Sequence, residues 1–439
     1  DRNVAVGSNA LYAQNNTSDV DAYNVAVGYN AGAAVTTGTL NTIIGGLAGD
    51  ALTTGSKNTA MGIGALGSED TGSRNTALGY GALGLLNYDG DGYNTAVGYE
   101  AGAAMTTGVF NTIIGDIAGD ALTTGAANVA IGYQALSLED THGHNVAIGF
   151  QSLANQNAGA NAYNVAIGSN AGLSVTTGVE NTIIGGLAGD SLTTGARNIA
   201  IGHGALGSAN GTESRNTAIG WSALSALDAD GNGYNTAVGY NAGAGITTSV
   251  QSTIVGALAG DALTTGTANT ILGYTAGTNL ESGDSNVAIG SAAMSSANGS
   301  ESRNVAIGTN ALYAMDNNAS NYNVAVGYDA GKTISTGTHN TILGALAGDA
   351  LTTGSYNVAL GWGALSTEDA HGKNVAIGYN SLVAQDAGAD AYNVAVGYES
   401  GRHLTTGLYN TVLGGEALLT NIDGDKNTAI GFRALKSFE

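Results

Sequence analysis

The sequence predicts an all-β protein, a parallel β-solenoid of about 25 coils with 17–19 residues in most of them. Three observations predict this fold. The pentapeptide of residues 41–45 (Asn-Thr-Ile-Ile-Gly) returns in 25 copies, and each copy ends in Gly. A spacing of 17 residues is too short for a helical-hairpin repeat, which needs about 33 residues. The pentapeptides are rich in Val, Ile and Thr, which favour strands.

Length and composition agree with a repeat protein. By length alone, 439 residues suggest about three domains. A solenoid grows by adding coils, so we predict one continuous domain over residues 1–439. The chain has 71 Gly, no Pro and no Cys, yet 43% of its residues are hydrophobic. It is therefore expected to fold, unlike a disordered glycine-rich tract.

Each pentapeptide predicts a strand that is apolar on both faces. The second and fourth residues share one face and the third takes the other. The third residue is Ala in 18 copies and Ile or Val in seven. Since a strand with two apolar faces is normally buried on both, one face should fill the coil and the other should pack against another chain. This pattern predicts a homo-oligomer in which each coil packs on the same coil of its neighbours.

The rest of each coil predicts a second strand and two corners. We expect a shorter strand centred on the eighth residue, which is Ala except at Ser152, Ser381 and Ser400, so only small side chains fit there. The invariant Gly predicts a corner with positive φ or no room for a Cβ. The Asn that opens every copy except the one at Ser252 predicts another corner, with a ladder of stacked amides.

A longer period of about 70 residues overlies the coils. Most blocks contain four coils, and each begins after a longer gap, of 21 residues at the start and 19 residues thereafter, that ends in a Tyr before the Asn. One block carries an extra coil near Asn269. These tyrosines are Tyr23, Tyr93, Tyr163, Tyr234, Tyr322 and Tyr392. With parallel strands about 4.8 Å apart, 25 coils would form a rod about 120 Å long.

Aromatic residues cluster at the sixth motif position, directly after the Gly. They suggest a surface column that could stack on sugars or a receptor. The alternative is that the rings cover the Gly corner and pack along the solenoid axis. The column comprises Tyr29, Tyr80, Tyr99, Tyr133, Phe150, Trp221, Tyr240, Tyr274, Tyr328, Trp362, Tyr379, Tyr398 and Phe432.

Charged residues give two further hypotheses. Eight of the 12 basic residues precede an Asn and have acidic residues just upstream, as Arg74 follows Glu69 and Asp70, so we expect ion pairs between neighbouring coils. Two acidic loops have the oxygen spacing of half a calcium loop, without the Glu of an EF-hand. Their candidate Ca²⁺ ligands are Asp228, Asp230, Asn232, Asp89 and Asp91.

Other function classes lack support in the sequence. There is no Cys nucleophile and no Gly-x-Ser-x-Gly elbow, and the six histidines are interpreted as falling in unrelated coil positions, so we predict no enzyme and no catalytic residues. A net charge of −22 argues against nucleic acid. No apolar run approaches 18 residues, which argues against membrane insertion by this segment. Thr-Thr-Gly loops recur only in selected coils, so the threonine array of an ice-binding solenoid is not predicted.

The unit Asn-Val-Ala-Ile-Gly-x-x-Ala, which residues 374–381 carry with Ser381 in the last place, resembles the YadA-like head repeats of trimeric autotransporter adhesins. The sequence pattern of residues 94–102, Asn-Thr-Ala-Val-Gly-Tyr-x-Ala-Gly, is equally similar to the repeat region of bacteriophage tail fibres. The resemblance covers essentially the whole chain and implies a left-handed β-roll, three chains side by side and surface attachment. We therefore expect a non-enzymatic, extracellular fibre segment on a cell surface or a virion, with a glycan or receptor as ligand. A subunit of an end-to-end filament is the other alternative.

Overall fold

The computed structural model describes residues 2–16, 20–208 and 211–437. The chain divides into two compact units, Asp1–Asn216 and Thr217–Glu439, and each unit is a parallel β-solenoid. Every regular element within these ranges is a β-strand, and none is a helix that could cross a membrane. The all-β solenoid is thus confirmed, while the organisation of residues 1–439 as one continuous domain stays a prediction.

Twenty-five strands of three residues occupy motif positions two to four. The first unit contains β1 (Val4–Val6), β2 (Val25–Val27), β3 (Thr42–Ile44), β4 (Thr59–Met61), β5 (Thr76–Leu78), β6 (Thr95–Val97), β7 (Thr112–Ile114), β8 (Val129–Ile131), β9 (Val146–Ile148), β10 (Val165–Ile167), β11 (Thr182–Ile184) and β12 (Ile199–Ile201). The second unit contains β13 (Thr217–Ile219), β14 (Thr236–Val238), β15 (Thr253–Val255), β16 (Thr270–Leu272), β17 (Val287–Ile289), β18 (Val305–Ile307), β19 (Val324–Val326), β20 (Thr341–Leu343), β21 (Val358–Leu360), β22 (Val375–Ile377), β23 (Val394–Val396), β24 (Thr411–Leu413) and β25 (Thr428–Ile430).

Within each unit, every strand pairs in parallel with the equivalent residues of the next coil. In β3 and β4, for example, Thr42 lies opposite Thr59 and Ile43 opposite Ala60. The third motif residue points into the coil, and Ile43 and Ala60 are both fully buried. The second and fourth residues point outward and are partly exposed. The sequence predicted two apolar faces, and the structure assigns the third residue to the interior.

The interior makes room for its largest residues with glycines. All six coils with Ile at position three have Gly at position nine, as in Ile43 and Gly49. A Cβ on Gly32, at position nine of the preceding coil, would lie 2.8 Å from Cδ1 of Ile43. The coil of Ala60 instead places Leu66 at position nine, fully buried. Close packing therefore couples the Ile at position three to the Gly at position nine of the preceding coil.

The predicted second strand is wrong. The residues around the eighth position form turns, because positions seven and nine have positive φ, as at Leu47 (58°) and Gly49 (46°). An extended strand cannot accommodate such angles. The turns still join the coils, since the Leu47 N–H donates to Tyr29 in the preceding coil (2.9 Å) and the Gly49 N–H donates to Ala65 in the following coil (2.9 Å). The small eighth residue is fully buried, as predicted, and Ser152 replaces Ala by donating to the Ala166 carbonyl at 2.9 Å.

Both predicted corners are confirmed. Gly115 has a φ of 137°, and a Cβ there would lie 2.5 Å from the carbonyl oxygen of Gly132. The motif Asn is buried and binds in two directions. Asn41 donates its backbone N–H to Oδ1 of Asn24 (2.9 Å), and its Nδ2 donates to the Gly55 carbonyl (2.9 Å). The first bond links consecutive coils and the second closes the coil that begins at Asn41.

Candidate interaction surface

The side chains of motif positions two and four form what we call the outer strand face. Position four is aliphatic or Met in all 25 copies, and no charged residue occupies either position. Ile114 in β7 is nevertheless 37% exposed and Leu343 in β20 is 45% exposed, whereas Ile113 is fully buried. Continuous apolar surfaces of this kind mark interaction sites in soluble proteins.

The aromatic column at position six lies beside this face. The rings stack between neighbouring coils, with centroids 5.3 Å apart for Tyr80 and Tyr99 and 5.1 Å apart for Trp362 and Tyr379. They are also about half exposed. The exposed members are Tyr29, Tyr80, Tyr99, Tyr133, Phe150, Trp221, Tyr240, Tyr274, Tyr328, Trp362, Tyr379, Tyr398 and Phe432. The packing along the axis is therefore confirmed for the rings with an aromatic residue at position six of an adjacent coil, which Tyr29, Tyr274, Tyr328 and Phe432 do not have. A receptor role for the exposed edges stays a prediction.

A second set of rings precedes the motif Asn, on the other side of the outer strand face. Tyr93 stacks on Phe110 with centroids 5.5 Å apart, and Tyr392 stacks on Tyr409 at 5.5 Å. Arg74 lies over the Tyr93 ring at 5.2 Å and donates to the Tyr93 hydroxyl at 2.6 Å. The sequence identified these tyrosines only as markers of the long period. The structure shows that they continue stacks of exposed rings.

Ion pairs between neighbouring coils are confirmed. Arg74 Nε lies 3.3 Å from Asp91 in the following coil. Glu69 is instead buried, with Oε1 accepting the Gly72 N–H at 2.7 Å. In the other unit, Lys373 Nζ lies 2.6 Å from Asp390, and this hydrogen bond lowers the pKa of the Asp390 carboxyl. Such exposed pairs contribute little to stability.

The candidate calcium ligands are exposed and engaged in different contacts. Asp89 accepts the Thr71 hydroxyl at 2.7 Å, and Asp91 is the ion-pair partner of Arg74. Asp228, Asp230 and Asn232 are exposed in the loop before Tyr234. Across the described ranges, groups of three His, Asp or Glu side chains that could hold a metal lie in residues 139–142 and 368–371. Calcium binding by the acidic loops therefore stays a prediction.

One coil in each full block of four carries a buried Glu that the sequence analysis missed. These residues are Glu69, Glu139, Glu213, Glu301 and Glu368, all fully buried. Burial raises the pKa of Glu69, Glu139 and Glu368. The interpretation of the histidines as unrelated is also wrong, because His142 and His371 occupy equivalent coil positions. Each of these histidines lies three residues after a buried Glu. The recurring pattern Glu-Asp-x-His was therefore the sequence signal that could have identified both residues.

No protein-family model matches this chain, and no curated protein matches it.

Proposed function

We propose that the chain is a non-enzymatic, extracellular fibre segment with structural and adhesive roles, in which three copies pack side by side through their outer strand faces. The observation that carries this proposal is the outer strand face itself. It is apolar at position four in every copy, free of charge, and partly exposed in each unit of a single chain. A second copy with the same face would be its complement.

The distribution of charge supports this assembly. The chain has a net charge of −22, which would make copies repel one another if acidic groups lay on the contact face. The acidic side chains lie in the loops, as Asp140 and Asp369 do, and none lies at positions two or four. Burial of apolar surface contributes about 25 cal/mol per Å², and a contact repeated along many coils sums these contributions.

The adhesive role is assigned to the exposed rings. Aromatic side chains at the border of a protein contact keep a free face or edge that can stack on a sugar or bind a protein receptor. Tyr80, Tyr99, Trp362 and Tyr379 fit this role because they are stacked in place and about half exposed. The same architecture serves a cell-surface adhesin and a bacteriophage tail-fibre shaft, so the proposal covers both locations.

Paired variants test the assembly. Ile114→Asp and Leu343→Asp together place a charge on the outer strand face of each unit, and we expect the trimer to become a single chain in sedimentation velocity. The matched control is Thr124→Asp with Thr353→Asp, because these threonines are exposed in loops away from that face. An Asp pair at 114 and 343 that sediments like the unmodified chain would contradict the proposal. Large species whose size grows with concentration in both variants would favour end-to-end filaments instead.

A further inference from the structure

Two loops, one in each unit, share the sequence Glu-Asp-x-His and the same place in the coil. They comprise residues 139–142 and 368–371. The carbonyl oxygen of His142 accepts a hydrogen bond from Asn128 Nδ2 at 3.2 Å, and that of His371 accepts one from Asn357 Nδ2 at 3.3 Å. The motif Asn of each coil thus fixes the position of its histidine.

The side chains in both loops converge. In each loop the Glu, the Asp and the His offer one ligand atom each, and these three atoms lie within 4.8 Å of one another. Glu139 Oε1 lies 3.6 Å from His142 Nδ1, and Glu368 Oε1 lies 3.5 Å from His371 Nδ1. The same carboxylate oxygens accept the backbone N–H of His142 and His371, both at 3.1 Å. These bonds hold each glutamate facing its imidazole.

Polar atoms in both loops are buried without a hydrogen-bond partner. They are Oε2 of Glu139, Oε2 of Glu368 and Nδ1 of His371. Both glutamate side chains are fully buried, and the imidazoles are only 27% and 28% exposed. Buried carboxylate oxygens are normally paired, so one without a hydrogen-bond partner beside an imidazole can accept a positive ligand.

Glu69 provides a comparison within the same fold. Its coil carries Glu69-Asp70-Thr71-Gly72, with Gly in place of the His. Glu69 Oε1 accepts the Gly72 N–H at 2.7 Å, and its Oε2 accepts the Tyr88 N–H at 3.3 Å. Both oxygens of this buried glutamate are therefore satisfied by the backbone. In Glu139 and Glu368, by contrast, one carboxylate oxygen of each side chain has no hydrogen-bond partner.

We propose that Glu139–Asp140–His142 and Glu368–Asp369–His371 each bind one divalent transition-metal cation, with Zn²⁺ as the representative ion. An imidazole nitrogen with carboxylate oxygens is a donor set that Zn²⁺ accepts, whereas Ca²⁺ prefers oxygen ligands alone. Two carboxylates and a neutral imidazole neutralise the charge of the ion. A metal at each site would supply the partner that the buried glutamate oxygen lacks and would tie the loop to its coil.

The test is isothermal titration calorimetry of Zn²⁺ into the full chain after treatment with a chelator. We expect two ions per chain, one ion for His142→Ala or His371→Ala alone, and none for the double variant. The control is His144→Ala, which removes a neighbouring imidazole that stacks on Tyr163, and it should retain two ions. Equal stoichiometry in the unmodified chain and the double variant, or no binding to the unmodified chain, would overturn the proposal.

A second readout separates binding from folding. Co²⁺ replaces Zn²⁺ in sites of this kind and gives a visible absorption band when bound with low coordination number. We expect the band in the unmodified chain and its loss in Glu139→Gln with Glu368→Gln, which preserve side-chain size. Circular dichroism checks that these variants remain folded. A band of unchanged intensity in the folded Gln variants would show that the glutamates do not hold the metal.

Discussion

Ile113 and Ile114 are consecutive residues of β7, yet they meet different surroundings. Ile113 is fully buried inside the coil, and Ile114 is 37% exposed on the outer strand face. Both are large and aliphatic, so their sequence gives no reason to distinguish them. One chain therefore completes its interior but leaves uncovered an outer strand face that is apolar at position four and carries Thr or an aliphatic residue at position two.

The interior is complete because each coil supplies what its neighbours require. The Asn ladder satisfies most of the buried amides, with Nδ2 of Asn145 and Asn374 among the exceptions, and Ile at position three is matched by Gly at position nine. The outer strand face has no equivalent within its own unit. Its neighbours are rings that stack with one another along the axis, as Tyr80 and Tyr99 do, and leave positions two and four open.

A charge on the buried face of β7 should have a very different effect from a charge on its exposed face. Ile113→Asp buries a carboxylate without a partner and should destabilise the first unit by several kcal/mol. Ile114→Asp places the carboxylate in solvent and should leave the fold intact while weakening association. Thermal melting followed by circular dichroism compares the two. Similar melting temperatures for both variants would contradict the assignment of the two faces.

The corner glycine should be nearly as sensitive as the interior. Gly115→Ala combines a φ of 137° with a Cβ that would lie 2.5 Å from the Gly132 carbonyl oxygen. We expect a loss of at least about 2 kcal/mol from strain and crowding together. Gly159→Ala is the control, because a Cβ there meets no atom within 4 Å. Urea denaturation monitored by circular dichroism measures both, and equal stabilities would show that the corner tolerates a side chain.

Loss of one rung of the Asn ladder should have an intermediate effect. Asn181→Ala removes the acceptor of the Asn198 N–H (2.9 Å) and the donor to the Gly195 carbonyl (2.8 Å). Leaving these buried groups unpaired should cost about 2–4 kcal/mol. Hydrogen exchange should show faster exchange of the Asn198 amide. Asn155 is exposed, so in the Asn155→Ala control we expect no change in the exchange rate of the Asn198 amide. Equal protection of this amide in both variants would argue against the ladder.

The smallest expected effect concerns the pH dependence of stability. Burial raises the pKa of Glu69 above its ordinary value of 4.5, with the nearby Asp70 charge acting in the same direction. The folded state therefore binds this proton more tightly than the unfolded state. The contribution of Glu69 is fully present below about pH 4.5 and is lost as the pH rises through the raised pKa of the folded state.

Glu69→Gln removes this titration while keeping the size of the side chain. On acidification from pH 7 towards pH 4.5, the unmodified chain should gain more free energy of unfolding than the Gln variant. Chemical denaturation at several pH values measures the difference. Parallel pH profiles for the two proteins would mean that Glu69 keeps an ordinary pKa in the folded state.

Much of the coil could be predicted from the sequence because its signals repeat. The strands, the Gly corner and the Asn ladder depend on residue types that recur in nearly every copy, as Asn41 and Gly45 do. The turns around position eight were not predicted, since Leu47 gives no sign that it adopts a positive φ. Glu69 was identified only as an acidic residue upstream of Arg74, and a charged residue in a loop is usually exposed. Its burial depends on a backbone N–H that the sequence does not reveal.

The mass of the unmodified chain in solution is the simplest test of the proposed trimer. Light scattering after size exclusion chromatography gives this mass without a label or a variant. We expect three chains of 43.2 kDa each in one particle, because the outer strand face is covered by other copies. A mass of one chain at every concentration tested would mean that this face stays open to water, and would contradict the proposed assembly.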